Sequence, residues 1–415
     1  MKQTIGHLDG FEKNRYWKMR ACAINLLVGG KGALYTFLWA ALTLTTVFPL
    51  FFIAGYFSKK LKPSTKEKEQ GIPYHYFTGI YSGCVYSPFI KAYELDLFGK
   101  CDMQSPILEI AVGDGYFSSL LFKSVHKQLD YGADLIYGTI KSATKYDHCN
   151  EYLVMDAMQI PFPDNCFGTV VMNNLMHHVP DRAETLKEAL RVLKKGGKFI
   201  FSENTSGWGN FMWEQVALRK LKLNYFADRL LKIQLKLYAQ SLLSDGFFYD
   251  KKAEEYGFKV NKKINFVSKT TMRLGSIFEF MNLKFGQPTR KEMLFWLRLF
   301  GLKTRLSKYI DNIIRFCIIN DKELVQEEGY AFQYFELEKN KKEDSDIQPD
   351  GNISYVCPSC KRQLSLKGDY FCNSCDIRYP VVEGIPIFLS YREKIKGFDS
   401  YINGKTGVDS EDFIT

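Results

Sequence analysis

Residues 107–121 read I-L-E-I-A-V-G-D-G-Y-F-S-S-L-L: an apolar run, a turn containing Gly113 and Gly115, then apolar residues at helical spacing. This order predicts a strand, a tight turn and a helix. The glycines let the backbone approach a ligand closely, and a helix that begins there points its free N–H groups at an anion. A dinucleotide fingerprint would place a third glycine at position 118, which is Ser118. The stretch therefore predicts a ligand-binding turn without specifying the ligand.

The residues that follow indicate which class of ligand the turn binds. Asp134 lies 19 residues after Gly115, at the end of the next apolar stretch, where its carboxylate could accept hydrogen bonds from two ribose hydroxyls. Further strands are predicted to end near Asp156, Asn173 and Glu203, with an amphipathic helix and a Gly-Gly stop before the last of them. Strands that alternate with helices predict an α/β fold with a parallel sheet covered on both faces.

In this order the motifs of residues 109–203 resemble the core of the class I S-adenosylmethionine-dependent methyltransferases, closest to the small-molecule and quinone-type members. The resemblance implies a Rossmann-like seven-stranded sheet and S-adenosylmethionine as methyl donor. It also implies donor-binding residues: Glu109, Ala111, Gly113 and Gly115 around the methionine end, Asp134 on the ribose, Asp156 and Ala157 beside the adenine, and Asn173 beside the sulfonium.

Two positions depart from the family pattern. Ala111 replaces the first glycine of the motif, and Gly168 stands where an aspartate usually follows P-F-P-D-x-x-F. The change at Ala111 is mild, whereas the change at Gly168 is expected to loosen its loop. A domain that has this fold but no methyltransferase activity is an alternative that these departures keep open.

Methyl transfer from a sulfonium is an in-line displacement, so the enzyme mainly aligns acceptor, methyl group and sulfur in a dry pocket. No nucleophilic side chain is required. An acceptor that must lose a proton would need a general base, and His177 or His178, beyond the fourth strand, could reach it. Alternatively, both are loop histidines without a catalytic role.

Residues 33–57 contain no charge over 25 positions, which is long enough to span a bilayer, and Lys59, Lys60 and Lys62 follow directly. We predict a membrane helix here. Pro49 and Gly55 also allow a re-entrant helix, and a buried helix of a soluble domain is a further alternative.

Positive charge is concentrated in two predicted helical cap insertions, at about 208–244 and 270–328. Residues 206–315 contain 21 Lys and Arg against 9 Asp and Glu, a net charge of +12, whereas the whole chain carries +10. Within 219–236 basic residues alternate with Leu, Phe and Tyr, as in helices that lie on anionic bilayers. A cap helix with a solvated basic face is an equal alternative, and nucleic-acid binding is a third.

Four of the ten cysteines form two C-x2-C pairs separated by eleven residues, namely Cys357, Cys360, Cys372 and Cys375. This spacing predicts a tetrahedral zinc site, with free or redox-active thiols as the alternative. Because a module of about 40 residues buries little surface, the metal is expected to be structural and to supply most of the folding energy. Residues 355–390 resemble the small zinc-ribbon proteins that activate RNA and protein methyltransferases. The apolar residues Ile385, Ile387 and Phe388 are expected to add a strand or an apolar patch to the main domain.

These observations predict a methyltransferase that is membrane-anchored, with its catalytic domain in the cytoplasm, and that acts on a lipid-like or lipid-linked small molecule. An RNA or protein methyltransferase and a non-catalytic membrane scaffold are the alternatives. The predicted organisation is a basic segment at 1–32, the membrane helix at 33–57, a lead-in at 58–104, the methyltransferase domain at 105–340, a linker at 341–350, the zinc ribbon at 351–390 and a tail at 391–415.

Overall fold

The computed structural model describes residues 86–237, 247–273, 320–340 and 353–389. These residues belong to two compact units. The sheet unit takes its described residues from 97–206, 239–265 and 332–415, and the cap unit takes its own from 1–96, 207–238 and 266–331. The predicted membrane segment at 33–57 lies outside the described residues. Within the four described ranges, no helix is both long enough and apolar enough to cross a membrane.

Strands and helices alternate along the chain. The elements before the fifth strand are α1 Tyr86–Gly99, β1 Ile107–Ile110, α2 Tyr116–Ser124, β2 Leu129–Asp134, α3 Tyr137–Ala143, β3 Cys149–Met155, β4 Phe167–Asn173 and α4 Arg182–Val192. A single 3-10 turn, Met176–His178, follows β4. The remaining elements of this region are β5 Leu193–Asn204, α5 Ser206–Asn210, α6 Trp213–Lys220, α7 Asn224–Leu237, α8 Phe248–Tyr256, β6 Phe258–Ser268 and β7 Tyr330–Lys339.

The sheet has β1 near its centre. Its order is β3-β2-β1-β4-β5-β7-β6, with parallel pairing from β3 to β5 and an antiparallel pairing of β7 with β5. Every residue of β1 is buried, Glu109 included, as is typical of a parallel strand that is covered on both faces. The predicted mostly parallel α/β fold is confirmed.

Gly168 is tightly packed, so the expectation that it loosens its loop is wrong. A Cβ at this position would lie 2.5 Å from the carbonyl oxygen of Gln104 and 2.9 Å from that of Ser105. The backbone N–H of Gly168 donates to the Pro106 carbonyl oxygen at 2.9 Å, where the pairing of β4 with β5 shifts register. A larger residue would push the chain before β1 away from β4.

The C-terminal module belongs to the sheet unit. Its strands are β8 Ser365–Lys367, β9 Asp369–Cys372, β10 Ile377–Tyr379, β11 Val381–Val382 and β12 Ile385–Phe388. Strand β12 pairs in parallel with β3, with Ile387 opposite Val154 and Phe388 opposite Met155. The predicted added strand is therefore confirmed, and β11 and β12 extend the sheet to nine strands within the described residues.

Two sets of contacts hold the module against the sheet. The Tyr355 ring packs 5.1 Å from Phe162 and 4.6 Å from Phe388, between ring centroids. The Lys361 Nζ lies 2.8 Å from Glu188 Oε2, and Arg191 Nε donates to Glu188 Oε1 at 2.6 Å. Burial alone would raise the pKa of Glu188, but these hydrogen bonds hold it below its usual value. The module is thus joined by apolar packing and by a satisfied buried carboxylate.

The described part of the cap unit is mainly helical. Helices α6 and α7 make up most of the first insertion, and residues 320–328 are helical at the end of the second. Asp321 accepts hydrogen bonds from the N–H groups of Val267 and Ser268 at 2.8 and 2.7 Å. This buried carboxylate fixes the point at which β6 ends.

Candidate functional site

The turn after β1 is tied to the end of β2. Asp134 Oδ2 accepts a hydrogen bond from the Gly113 N–H at 3.1 Å, and Oδ1 accepts one from the Ile136 N–H at 3.0 Å. Burial raises the pKa of Asp134, although these backbone hydrogen bonds favour the ionised form. The two predicted binding elements, the glycine turn and the aspartate, therefore meet at the carboxyl edge of the sheet.

The glycines of the turn have different roles. Gly113, at φ +61°, would place a Cβ in open space, whereas a Cβ on Gly115 would lie 2.9 Å from Ala143. Gly113 therefore leaves an open cradle in which a ligand could lie, and Gly115 allows α2 and α3 to pack. Ala111 has a φ of +63° and adopts the left-handed backbone without being glycine, which stores strain in the turn.

Glu109 lies in β1, just before the turn. Its side chain is 1% exposed and accepts a hydrogen bond from the Ser118 hydroxyl, which lies 2.9 Å from His148 Nε2. Burial lowers the pKa of His148 and so favours its neutral form. This series of polar contacts from Glu109 through Ser118 to His148 stabilises the first turn of α2. The sequence did not indicate such a buried role for Ser118 or His148.

The predicted adenine contacts follow β3. Asp156 and Ala157 are each 8% exposed, and Asp156 Oδ1 accepts a hydrogen bond from the Met158 N–H at 2.8 Å. Because β12 pairs with the last two residues of β3, the C-terminal module supports the strand that presents Asp156. The sequence predicted both pieces but not that they adjoin.

Asn173 and the two histidines lie beyond β4. The Asn173 Oδ1 accepts a hydrogen bond from the Ser202 hydroxyl at 3.3 Å. His177 is 3% exposed, whereas His178 is exposed, and their ring centroids are 4.0 Å apart. The two catalytic candidates therefore have different environments, because one faces the protein interior and the other faces solvent.

The sequence pattern indicated Glu203 only as the end of a strand and not as a functional residue. Glu203 is fully buried near the end of β5, and its Oε1 lies 3.2 Å from His177 Nδ1. Burial raises the pKa of Glu203 to about 8, and the nearby positive charge of Arg182 opposes that increase. A glutamate two positions after the apolar run 199–201 of a predicted inner strand is the signal that could have identified it.

Together these residues line the carboxyl ends of five neighbouring strands, which is where ligands bind in open parallel sheets. One end of the row offers a glycine cradle and an aspartate for a nucleoside. The other offers a buried His177–Glu203 pair that could hold or move a proton.

The four C-terminal cysteines come together as predicted. The Sγ atoms of Cys357 and Cys375 are 4.0 Å apart and those of Cys360 and Cys372 are 3.5 Å apart, and all four lie within 4.8 Å of one another. Tetrahedral zinc–thiolate bonds of about 2.3 Å place sulfur atoms about 3.8 Å apart. The donor set and its spacing therefore fit a zinc ion.

Residues 108–201 match a family model described as "Methyltransferase domain". The ubiquinone/menaquinone biosynthesis C-methyltransferase UbiE of Desulfotalea psychrophila is 29% identical over 109 residues, which are 26% of this chain and 44% of that protein. The 2-methyl-6-phytyl-1,4-hydroquinone methyltransferase of Synechocystis is 32% identical over 128 residues, which are 29% of this chain and 36% of that protein. The chain thus spans less than half the length of these two relatives.

A solved structure of phosphoethanolamine N-methyltransferase 2 from Haemonchus contortus is 18% identical, with a TM-score of 0.38, and covers 60% of this chain and 52% of that chain. The family match covers β1 to β5 and includes the glycine turn, Asp134, Asp156 and Asn173. Residues 108–201 are therefore similar to methyltransferase domains.

Proposed function

We propose that the protein transfers a methyl group from S-adenosylmethionine to a lipid-soluble, quinone-type or lipid-linked small molecule. The observation that carries the donor assignment is the joining of the glycine turn to Asp134 in a domain of the methyltransferase family. Asp134 would accept hydrogen bonds from the ribose, and Asp156 and Ala157 would lie beside the adenine. Gly113 would admit the methionine end, with Asn173 near the sulfonium.

The acceptor class rests on the relatives, whose names refer to ubiquinone, menaquinone and a phytyl hydroquinone. Methylation of a ring carbon forms a carbon–carbon bond, breaks the bond from methyl to sulfur, and releases the ring proton. That proton needs a base. We assign it to His177, whose Nδ1 faces Glu203, so that Nε2 would take the proton while Glu203 fixes the ring.

The four cysteines and the segment at 33–57 would have supporting roles. A zinc ion bound by the four cysteines would be structural, since it would tie together a small module that supports β3. The chain would be anchored at 33–57 with the methyltransferase domain in the cytoplasm, where the donor is made and thiols stay reduced. A membrane anchor suits an acceptor dissolved in the bilayer.

The test incubates detergent-solubilised full-length protein with cell extract and donor carrying a radiolabelled methyl group, and then separates organic, RNA and protein fractions. We expect label in the organic fraction with wild-type protein and a loss of that label in Asp134→Ala. The matched control is Asp130→Ala, on the same strand, where Oδ2 accepts from the Ile107 N–H at 2.7 Å in a structural role.

Label in RNA or protein that depends on Asp134 would show that the acceptor is a macromolecule. In that case the likeness of the C-terminal module to methyltransferase activators would be the better guide to function. Absence of label in every fraction, together with failure to bind the donor by calorimetry, would favour a non-catalytic scaffold.

A further inference from the structure

The turn that joins α6 to α7 exposes an unusual set of side chains. All eight residues from 219 to 226, R-K-L-K-L-N-Y-F, are exposed. Six large apolar side chains are exposed in the described ranges, and four of them lie in this turn: Leu221 at 68%, Leu223 at 41%, Tyr225 at 69% and Phe226 at 57%. We call residues 219–226 the α6–α7 turn.

The α6–α7 turn has a defined backbone. The Lys222 N–H donates to the Arg219 carbonyl oxygen at 3.0 Å, and the Leu223 N–H donates to that of Leu218 at 2.9 Å. This pair of hydrogen bonds is the Schellman arrangement that ends a helix, with Lys222 at φ +57° in the place usually taken by glycine. The Arg219 guanidinium also bonds Asp228 across the turn at 2.8 Å. The turn that carries the exposed apolar side chains therefore has an ordered backbone.

The charge around the turn has one sign. The exposed basic residues between 219 and 232 are Arg219, Lys220, Lys222, Arg229 and Lys232. Asp228 is the single acidic residue in that range, and its carboxylate is paired with Arg219. Exposed Leu, Tyr and Phe side chains surrounded by basic residues are suited to binding an anionic bilayer. The apolar side chains would enter the headgroup layer, and the basic side chains would pair with the lipid phosphates. Association of two copies of this chain through the same turn would instead bring like charges together and is therefore disfavoured.

We propose that the α6–α7 turn is a membrane-contact surface that inserts Leu221, Leu223, Tyr225 and Phe226 into the headgroup region of a bilayer containing anionic phospholipid. The proposal deepens the proposed function and rests on it for the reason why this enzyme would need to approach a bilayer. It names a second point of contact besides the predicted anchor at 33–57.

The test uses the full-length protein, so its readout must be local to the turn. Amide hydrogen exchange of peptides that cover 219–226 is measured after reconstitution into vesicles of phosphatidylcholine alone or mixed with phosphatidylglycerol. We expect exchange to slow by about tenfold with phosphatidylglycerol, and this protection to weaken at high salt because the attraction is electrostatic.

The double variant Leu221→Ser with Phe226→Ser should abolish that protection. The matched control is Leu366→Ser, which replaces a leucine of similar exposure, 61%, in the sheet unit and should leave the protection unchanged. Protection that is the same without phosphatidylglycerol, that survives the double variant, or that rises with protein concentration in the absence of lipid would overturn the proposal. Lipid-dependent protection in an enzyme that labels no lipid acceptor would overturn the proposed acceptor and leave this surface intact.

Discussion

The carboxylate of Asp134 accepts a hydrogen bond from the backbone N–H of Gly113 at 3.1 Å. One side chain therefore links the turn after β1 to the end of β2, and it does so through Oδ2, while Oδ1 accepts from Ile136. Asp134 would thus shape the donor site as well as contact the ribose. Its loss should affect the glycine turn and the ligand together.

Asp134→Ala should weaken donor binding by about 1 to 3 kcal/mol, because charge-assisted hydrogen bonds to the ribose are lost. Isothermal calorimetry with S-adenosylmethionine or its demethylated product measures this change. Asp130→Ala should lower stability without changing the donor dissociation constant, since Asp130 bonds the Ile107 N–H at the start of β1. Equal donor affinity in wild type and Asp134→Ala would contradict the site assignment.

Ala111→Gly should stabilise the protein by about 0.5 kcal/mol. Removing the strain of an alanine in the left-handed backbone region should raise the free energy of unfolding by roughly 1 kcal/mol or more. The greater conformational freedom of glycine in the unfolded chain removes part of that gain. The alanine φ of +63° is the reason for the sign. Urea unfolding followed by circular dichroism gives the free energy, and a lower midpoint for the glycine variant would show that Ala111 is not strained.

His177→Asn should lower kcat by on the order of 100-fold or more with little change in donor affinity, since a general base contributes about 10² to 10⁴. His178→Asn is the matched control and should change kcat much less, because His178 is exposed whereas His177 is buried against Glu203. Steady-state kinetics with the acceptor found in the organic fraction compare the two. A larger loss in His178→Asn would exchange their roles.

Glu203→Gln should alter the pH dependence of stability. Burial raises the pKa of Glu203 from 4.5 to about 8. The contribution of Glu203 to the stability of the folded protein is therefore fully present below pH 4.5 and is lost as the pH rises through 8. Glutamine cannot ionise, so the free energy of unfolding of the variant should rise relative to that of wild type between pH 4.5 and pH 8. The rise should be roughly 1.4 kcal/mol per pH unit and a few kcal/mol at most.

Urea unfolding at several pH values tests the Glu203 prediction, and the comparison with Glu184→Gln provides the control. Glu184 lies in α4 with its side chain 46% exposed and 3.5 Å from Lys187, so its replacement controls for the loss of a carboxylate near the surface. A Glu203→Gln difference that shrinks as the pH rises would show that the buried carboxylate is stabilised as the anion.

Removal of the proposed zinc ion should release the C-terminal module from the sheet. Since β12 pairs with β3, chelation should speed amide exchange in 385–388 and also in 153–155, and Cys360→Ser should do the same. Cys149→Ser is the matched control because Cys149 lies in β3 outside the four-cysteine cluster. Metal analysis by mass spectrometry should find one zinc ion per chain. Exchange that is insensitive to chelator would refute a structural metal.

The sequence by itself determined the features that depend on local pattern and spacing. Alternating apolar strands and amphipathic helices predicted the α/β sheet, the glycines after β1 predicted the turn, and Asp134 ended the strand as expected. The C-x2-C spacing predicted that four thiols would meet. These features could be read because periodicity, backbone freedom and short-range geometry are properties of neighbouring residues.

Tertiary structure decided what depends on partners distant along the chain. Glu203 meets His177 because β5 lies beside β4, and the parallel pairing of β12 with β3 joins residues more than 200 positions apart. Gly168 is accommodated because the chain at Gln104 fills the space that a side chain would take. Burial and charge pairing at these places arise from packing between elements, which no local pattern specifies.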